Sequence, residues 1–221
     1  MKRVLKPELL DQLPANDPRA IQSRRDLRRL NTIMGNAPNI CEFLAGVPLK
    51  SPLTVVEIGA GDGNIAFQVA RWLRERNATG RIILVDQQPV IAPEKIDGWK
   101  TQTVCADVFD WLKRAERADI IIANLFLHHF EDRELRRLLA ACAERCRCFV
   151  AAEPERNRFN AVLAARVKWI GCNSVTQHDA VISVGAGFKG KELSALWPAG
   201  GWALSEKHAG LFTHRFGAFR P

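Results

Sequence analysis

Thr54-Val-Val-Glu-Ile-Gly-Ala-Gly-Asp-Gly-Asn64 is the stretch on which the reading of this chain turns. The apolar, β-branched run Val55, Val56, Ile58 has the character of a buried strand. It breaks into Gly59, Gly61 and Gly63, and an apolar segment of helical character, 65–73, follows at once. The order is strand, tight turn, helix. Glycines in such a turn reach positive φ and let the main chain approach a ligand, while the unpaired N–H groups of the helix start face it. A dinucleotide fingerprint, G-x-G-x-x-G, would need a third glycine where Asn64 stands; the spacing here is G-x-G-x-G.

Downstream, four further strands end in polar groups. Residues 81–86 read as a strand closing on Asp86, followed by Gln87. An acidic residue there can accept hydrogen bonds from ribose hydroxyls, a pairing that leaves NAD open. A strand over 100–106 closes on Asp107, which either meets a ligand or caps the helix expected over 108–115. A strand over 118–123 runs into Asn124-Leu-Phe-Leu-His-His-Phe130, and an amphipathic helix to Arg145 carries Leu135, Leu138, Leu139 and Cys142 as its apolar stripe. A fifth strand, 148–152, ends in Glu153-Pro-Glu-Arg156 ahead of a helix over 160–169. Segments 202–208 and 211–219, joined through Ala209-Gly210, read as an antiparallel hairpin.

Glu57-x-Gly-x-Gly-x-Gly63 resembles motif I of the class I S-adenosylmethionine-dependent methyltransferases. Asn124-Leu-x-Leu-His-His-Phe130 resembles the segment after the fourth strand in their small-molecule members. Residues 174–183 are similar to the corresponding region of bacterial methyltransferases associated with phenolic-lipid and polyketide pathways. The resemblance implies an α/β, Rossmann-like seven-stranded fold with parallel strands, a C-terminal antiparallel hairpin and a helical N-terminal prefix. It implies S-adenosylmethionine as cofactor and S-adenosylhomocysteine as product. Glu57, Gly59, Ala60, Gly61 and Gly63 would run under the methionine part, with Asp86 and Gln87 at the ribose. Asp107 and Val108 would meet the adenine, and Asn124 and Leu125 would lie beside the cofactor. His128 or His129 would be a general base, since neutral imidazole accepts a proton near pH 7; the alternative is a structural pair. His178 and Asp179 form a second candidate. Residues 1–50 are expected to be an arm and helical lid, with Asn31, Met34 and nearby arginines closing the site, and residues 51–221 the methyltransferase domain.

Composition narrows the partners. The 221 residues carry a net charge of +8, with Lys2, Arg3, Lys6, Arg19, Arg24, Arg25, Arg28 and Arg29 crowded near the start. Such a balance can attract nucleic acid, but no aromatics interleave and no base-flipping Asn/Asp-Pro-Pro-Tyr/Phe motif is present. The prefix therefore reads as a solvated helix face, and the acceptor as a small phenolic or lipid-like molecule. A methyltransferase of RNA or another nucleic acid and a non-catalytic cofactor-binding module are the alternatives. No apolar run approaches the ~20 residues of a membrane span, and no h-region follows the start. Cys105, Cys142 and Cys148 sit in apolar segments, which suits reduced thiols in a cytoplasmic core. The spacing Cys142-x-x-x-Cys146-x-Cys148, with two cysteines on a helix and one on a strand, matches no zinc pattern. No carboxylate cluster with magnesium-ligand spacing stands out, so no metal ligands are assigned and metal dependence is left open.

Overall fold

In the computed structural model, which describes residues 1–89 and 94–221, seven strands form one sheet: β1 (Leu53–Ile58), β2 (Gly80–Asp86), β3 (Trp99–Cys105), β4 (Ala118–Asn124), β5 (Cys146–Pro154), β6 (Ala203–Ala209) and β7 (Thr213–Phe219). Their order is 3-2-1-4-5-7-6. The first five are parallel, and β7 runs antiparallel between β5 and β6. The order reverses between β1 and β4, so the cleft of an open α/β sheet lies beyond their carboxyl ends.

Alternation along the strands explains why both faces are covered. Val55, Ile120, Ile122 and Val150 face a cluster with Phe67, Val69 and Leu73 of helix α4 (Asn64–Arg74) and with Ile40 and Leu44 of α3 (Asn36–Leu44). Val56, Ile121, Phe149 and Ala151 face the other side, against Leu112 of α5 (Val108–Arg114) and Leu135, Leu138 and Leu139 of α6 (Asp132–Arg145). Burying a single such side chain contributes about 1.5–3 kcal/mol, so these two layers hold the sheet.

The prefix is more ordered than its prolines suggest. A short helix α1 (Leu9–Gln12) precedes α2 (Pro18–Met34). Pro18 occupies the first helical position, where its missing N–H costs nothing, and the Asp17 carboxylate accepts from the Arg19 N–H at 2.8 Å. Gly35 does stop α2, in the left-handed conformation at φ 67°, but α3 restarts immediately and takes Pro38 in its first turn. On α2 the fully buried Asp26 accepts from the Asn173 N–H and from Thr176. That carboxylate ties α2 to α8 (Ser174–Ala186).

Three expectations need correcting. Cys146 begins β5 rather than ending α6, because the helix gives way to extended backbone at that residue. Cys105 is exposed, since β3 is an edge strand whose outer positions meet solvent. The helix expected over 160–169 is two pieces, α7 (Arg158–Ala164) and a 3-10 turn (Val167–Ile170), with Arg166 between them off helical geometry. Asn157 caps the first piece through the Asn160 N–H. The remaining helix, α9 (Glu192–Leu196), precedes the hairpin.

Candidate active site

A cavity of about 780 Å³ opens beyond the carboxyl ends of the parallel strands. Its wall joins the glycine turn (Gly59, Gly61), the end of β2 (Asp86, Gln87, Gln88), Ala106 and Val108, and the β4 exit (Leu125, Phe126, His128, His129). The prefix contributes Glu8, Asp11, Arg24, Leu27, Leu30, Ile33 and Met34, and the α7–α8 region contributes Leu163, Val167, Trp169 and Ser183.

The glycine turn is built by packing on one side and left open on the other. Gly59, Gly61 and Gly63 all have positive φ. A Cβ on Gly59 would lie 2.1 Å from the Phe126 ring, and one on Gly63 would lie 2.6 Å from Leu84 Cδ1 and 2.9 Å from Phe67 Cε2. A Cβ on Gly61 would meet nothing within 4 Å. Gly59 and Gly63 are therefore glycines for the fold, whereas Gly61 presents bare backbone to the cavity. Ala60 is buried, its N–H donating to the Val85 carbonyl at 3.0 Å.

Glu57 lies beneath the turn, away from the cavity wall. It is 2% exposed, and its Oε2 accepts from the Ala66 N–H at 2.9 Å, occupying one of the orphan donors of α4. Burial pushes its pKa up to about 8, against that hydrogen bond and with the Asp62 and Asp86 charges adding to the rise. Asp86 does face the cavity. Its Oδ2 accepts from the Gly61 N–H and its Oδ1 from the Gln88 N–H, both at 2.8 Å.

Asp107 is the N-cap of α5, accepting from the Phe109 and Asp110 N–H groups at 2.8 and 3.2 Å. Its other oxygen accepts from Gln87 Nε2 at 2.9 Å, which turns the carboxylate toward the β2 end. Val108, the next residue, is on the wall. Asn124 is 8% exposed and lies behind the wall. Its Oδ1 accepts from Asn36 at 2.9 Å and its Nδ2 donates to Asn31 at 3.1 Å, so it fastens the prefix to the end of β4. Leu125, at φ 50°, turns the chain sharply enough to reach the wall itself.

The two histidines differ in environment. His128 is 3% exposed and sits between two carboxylates, its Nδ1 2.7 Å from Glu153 Oε2 and its Nε2 3.3 Å from Glu8 Oε1. Burial opposes its charge, but the hydrogen bonds to Glu153 and Glu8 outweigh burial and push the pKa up to about 10. Glu8 is held down to about 2: burial opposes its charge, and the His128 hydrogen bond and charge prevail. For His128, one of the two residues expected as a neutral base, the flanking carboxylates favour the protonated form. His129 reaches the wall, with Nδ1 3.3 Å from Asp11 Oδ2.

Asp179 lines the cavity but is occupied, accepting from the Leu9 and Leu10 N–H groups at 2.8 and 2.9 Å. His178 pairs with it at 2.9 Å and stands outside the wall. Sequence reasoning missed Glu8 and Asp11, which lie in an arm with no motif around them. Glu153, from its place at a charged strand end, could orient a polar substrate or cap the next helix; in the structure its Oε1 accepts from the Phe126 and Leu127 N–H groups at 2.9 and 2.8 Å.

Residues 55–148, from β1 into β5, match the family model described as a methyltransferase domain. This segment is a methyltransferase domain. Among solved structures, the whole domain and its prefix are similar to the plantazolicin methyltransferase BpumL in complex with SAH, at 13% identity and a TM-score of 0.69 over 96% of this chain and 94% of that one. The magnesium protoporphyrin IX methyltransferase ChlM from Synechocystis PCC 6803 with bound SAH follows at 11% identity and a TM-score of 0.52, covering 85% and 83%. An O-methyltransferase family protein from Burkholderia thailandensis matches at 16% identity and a TM-score of 0.55, covering 94% of this chain and 64% of that one. No curated protein matches by sequence. The methyltransferase domain here has the class I fold: the expected parallel sheet, closing antiparallel hairpin and N-terminal helices are all in place. Among the described residues, no helix is long and apolar enough to cross a membrane.

Proposed function

We propose that this chain transfers the methyl group of S-adenosylmethionine to a hydroxyl oxygen of a small, largely apolar acceptor, phenolic or lipid-like in character. The carrying observation is a single cavity walled jointly by the bare Gly61 backbone, the Asp86 carboxylate, an apolar chamber and a histidine–carboxylate cluster.

The residues fit the cofactor. Open space beside Gly61 suits close approach of a methionine chain, Asp86 offers acceptors for two ribose hydroxyls, and Val108 gives an apolar surface for an adenine ring. When bound, the cofactor supplies an electrophilic sulfonium methyl that an oxygen displaces in line, so catalysis rests on positioning. Leu27, Leu30, Ile33, Phe130, Leu163 and Val167 favour an apolar acceptor and exclude water around it. The Glu8–His128–His129 cluster lies on the same cavity wall, and its proximity supports assigning it to removal of the acceptor's proton. Within it, His128 pairs with Glu8 and Glu153, and we assign the proton-accepting role to His129, which reaches the cavity wall.

Calorimetry with S-adenosylhomocysteine, followed by mass spectrometry of product after incubation with simple alkylphenols, long-chain alcohols and total RNA, tests the reading. One equivalent bound and methylation of a phenol or alcohol is the expected outcome. Failure to bind, or methylation confined to RNA, refutes it.

A further inference from the structure

One set of side chains on the cavity wall is arranged as more than a hydrogen-bonded cluster. Glu8, His128 and His129 each present a ligand-type atom, and these atoms lie within 4.8 Å of one another. Glu8 Oε1 and His128 Nε2 are 3.3 Å apart, long for a charge-assisted N–H···O contact. That separation is what two ligands of one tetrahedral zinc show: bonds of ~2.0–2.1 Å put neighbouring donor atoms ~3.3–3.4 Å apart.

The surroundings carry a second, independent signature. Metal-bound imidazoles nearly always have their other nitrogen on a carboxylate or carbonyl, which fixes ring and tautomer. His128 has this on Nδ1, 2.7 Å from Glu153, whose far oxygen is in turn pinned by the Phe126 and Leu127 amides. His129 Nδ1 lies 3.3 Å from Asp11 Oδ2, an ion-pair distance that places a further carboxylate beside the cluster. Glu8 is steadied by the Ser183 hydroxyl, and the arm bearing it by the Leu9 and Leu10 amides on Asp179. Three carboxylates, Glu8, Asp11 and Glu153, thus stand against the two imidazoles.

We propose that Glu8, His128 and His129 form a binding site for a divalent first-row transition metal, zinc in the first instance, with a fourth position open to the cavity. Two nitrogen donors in three disfavour magnesium and calcium, which take oxygen. Three protein ligands and an open position are the arrangement of catalytic rather than structural zinc. The proton between His128 and Glu8 leaves to solvent as the cation enters. The metal's role rests on the methyl-transfer reading: an acceptor hydroxyl on the open position would ionise at neutral pH. Its existence does not.

Full-length protein stripped with chelator is titrated with Zn2+ against a chromophoric chelator, and with Co2+ by visible absorption. One equivalent is expected, with a tetrahedral cobalt spectrum. Glu8→Gln and His129→Ala, which spare the buried His128, should each weaken zinc at least ~10-fold, and His208→Ala on β6 should leave it unchanged. Absence of stoichiometric binding, or equal affinity in all three variants, overturns the site. S-adenosylhomocysteine calorimetry on the same samples separates the two claims. Cofactor binding without zinc sinks the metal site alone, and zinc without cofactor sinks the methyl-transfer reading alone.

Discussion

Replacing Gly61 by Ala separates ligand recognition from folding within one turn, because the three glycines there have different neighbours. At Gly61, φ is 53° and an added Cβ meets nothing within 4 Å. The cost to stability is then only left-handed backbone strain, ~1–2 kcal/mol, less ~0.4–1 kcal/mol returned by a stiffer unfolded chain. Gly63→Ala carries the same strain, and in addition drives its methyl to 2.6 Å from Leu84 Cδ1 and 2.9 Å from Phe67 Cε2, both fully buried. Overpacking of that kind adds ~1–3 kcal/mol. Urea denaturation should therefore show Gly61→Ala ~0–1.6 kcal/mol below wild type and Gly63→Ala ~1–4.6 kcal/mol below it. Calorimetry with S-adenosylhomocysteine should show the reverse emphasis. Gly61→Ala fills the space a methionine chain would use and should lose at least ~10-fold in affinity, about 1.4 kcal/mol. A Gly61→Ala protein that binds as wild type would refute the claim that this backbone is the cradle, and one as unstable as Gly63→Ala would refute the packing argument.

Two further outcomes follow from buried polar groups. His214 is fully buried between Glu155 and Glu206, at 2.7 and 2.8 Å. Burial opposes its charge, yet the hydrogen bonds to Glu206 and Glu155 raise its pKa above the ordinary 6.5. A raised folded pKa means a contribution complete below pH 6.5 and lost as pH climbs through the folded value. The wild-type advantage over His214→Gln should accordingly shrink above pH 6.5 in urea midpoints taken across that range, and a gap that widens with pH would contradict it. Asn36 is fully buried, donating to Asn31 and Asn124 and accepting from Thr213 at 2.7 Å. Asn36→Ala strands those partners and should cost ~1–3 kcal/mol in urea denaturation, with weaker cofactor binding as the prefix loosens. Unchanged stability would mean that the asparagine bridge is incidental.

Much of the fold was legible because it is written in local pattern. Val55, Val56 and Ile58 before three glycines, Asp86 closing an apolar strand, and Leu135, Leu138, Leu139 and Cys142 at helical spacing all fall on the elements they announce. The errors fall where neighbours outvote local preference. The segment 160–169 looked like one helix and is broken at Arg166. Cys146 looked helical and is strand because it pairs with Ala118.

The site divides along the same line. Sequence alone determined the glycine turn, the strand-end carboxylates, the histidine pair and the methyltransferase domain, since each is a short-range signal of residue type at fixed spacing. Only the tertiary structure decided what those groups face. It turned Glu57 under the loop as a helix cap and Asn124 back onto the prefix, and it set Glu8 and Asp11 against the histidines. Glu8 and His128 are 120 positions apart. No local preference links them; they meet because the arm is anchored on Asp179 of α8, across the same cavity that the sheet opens onto.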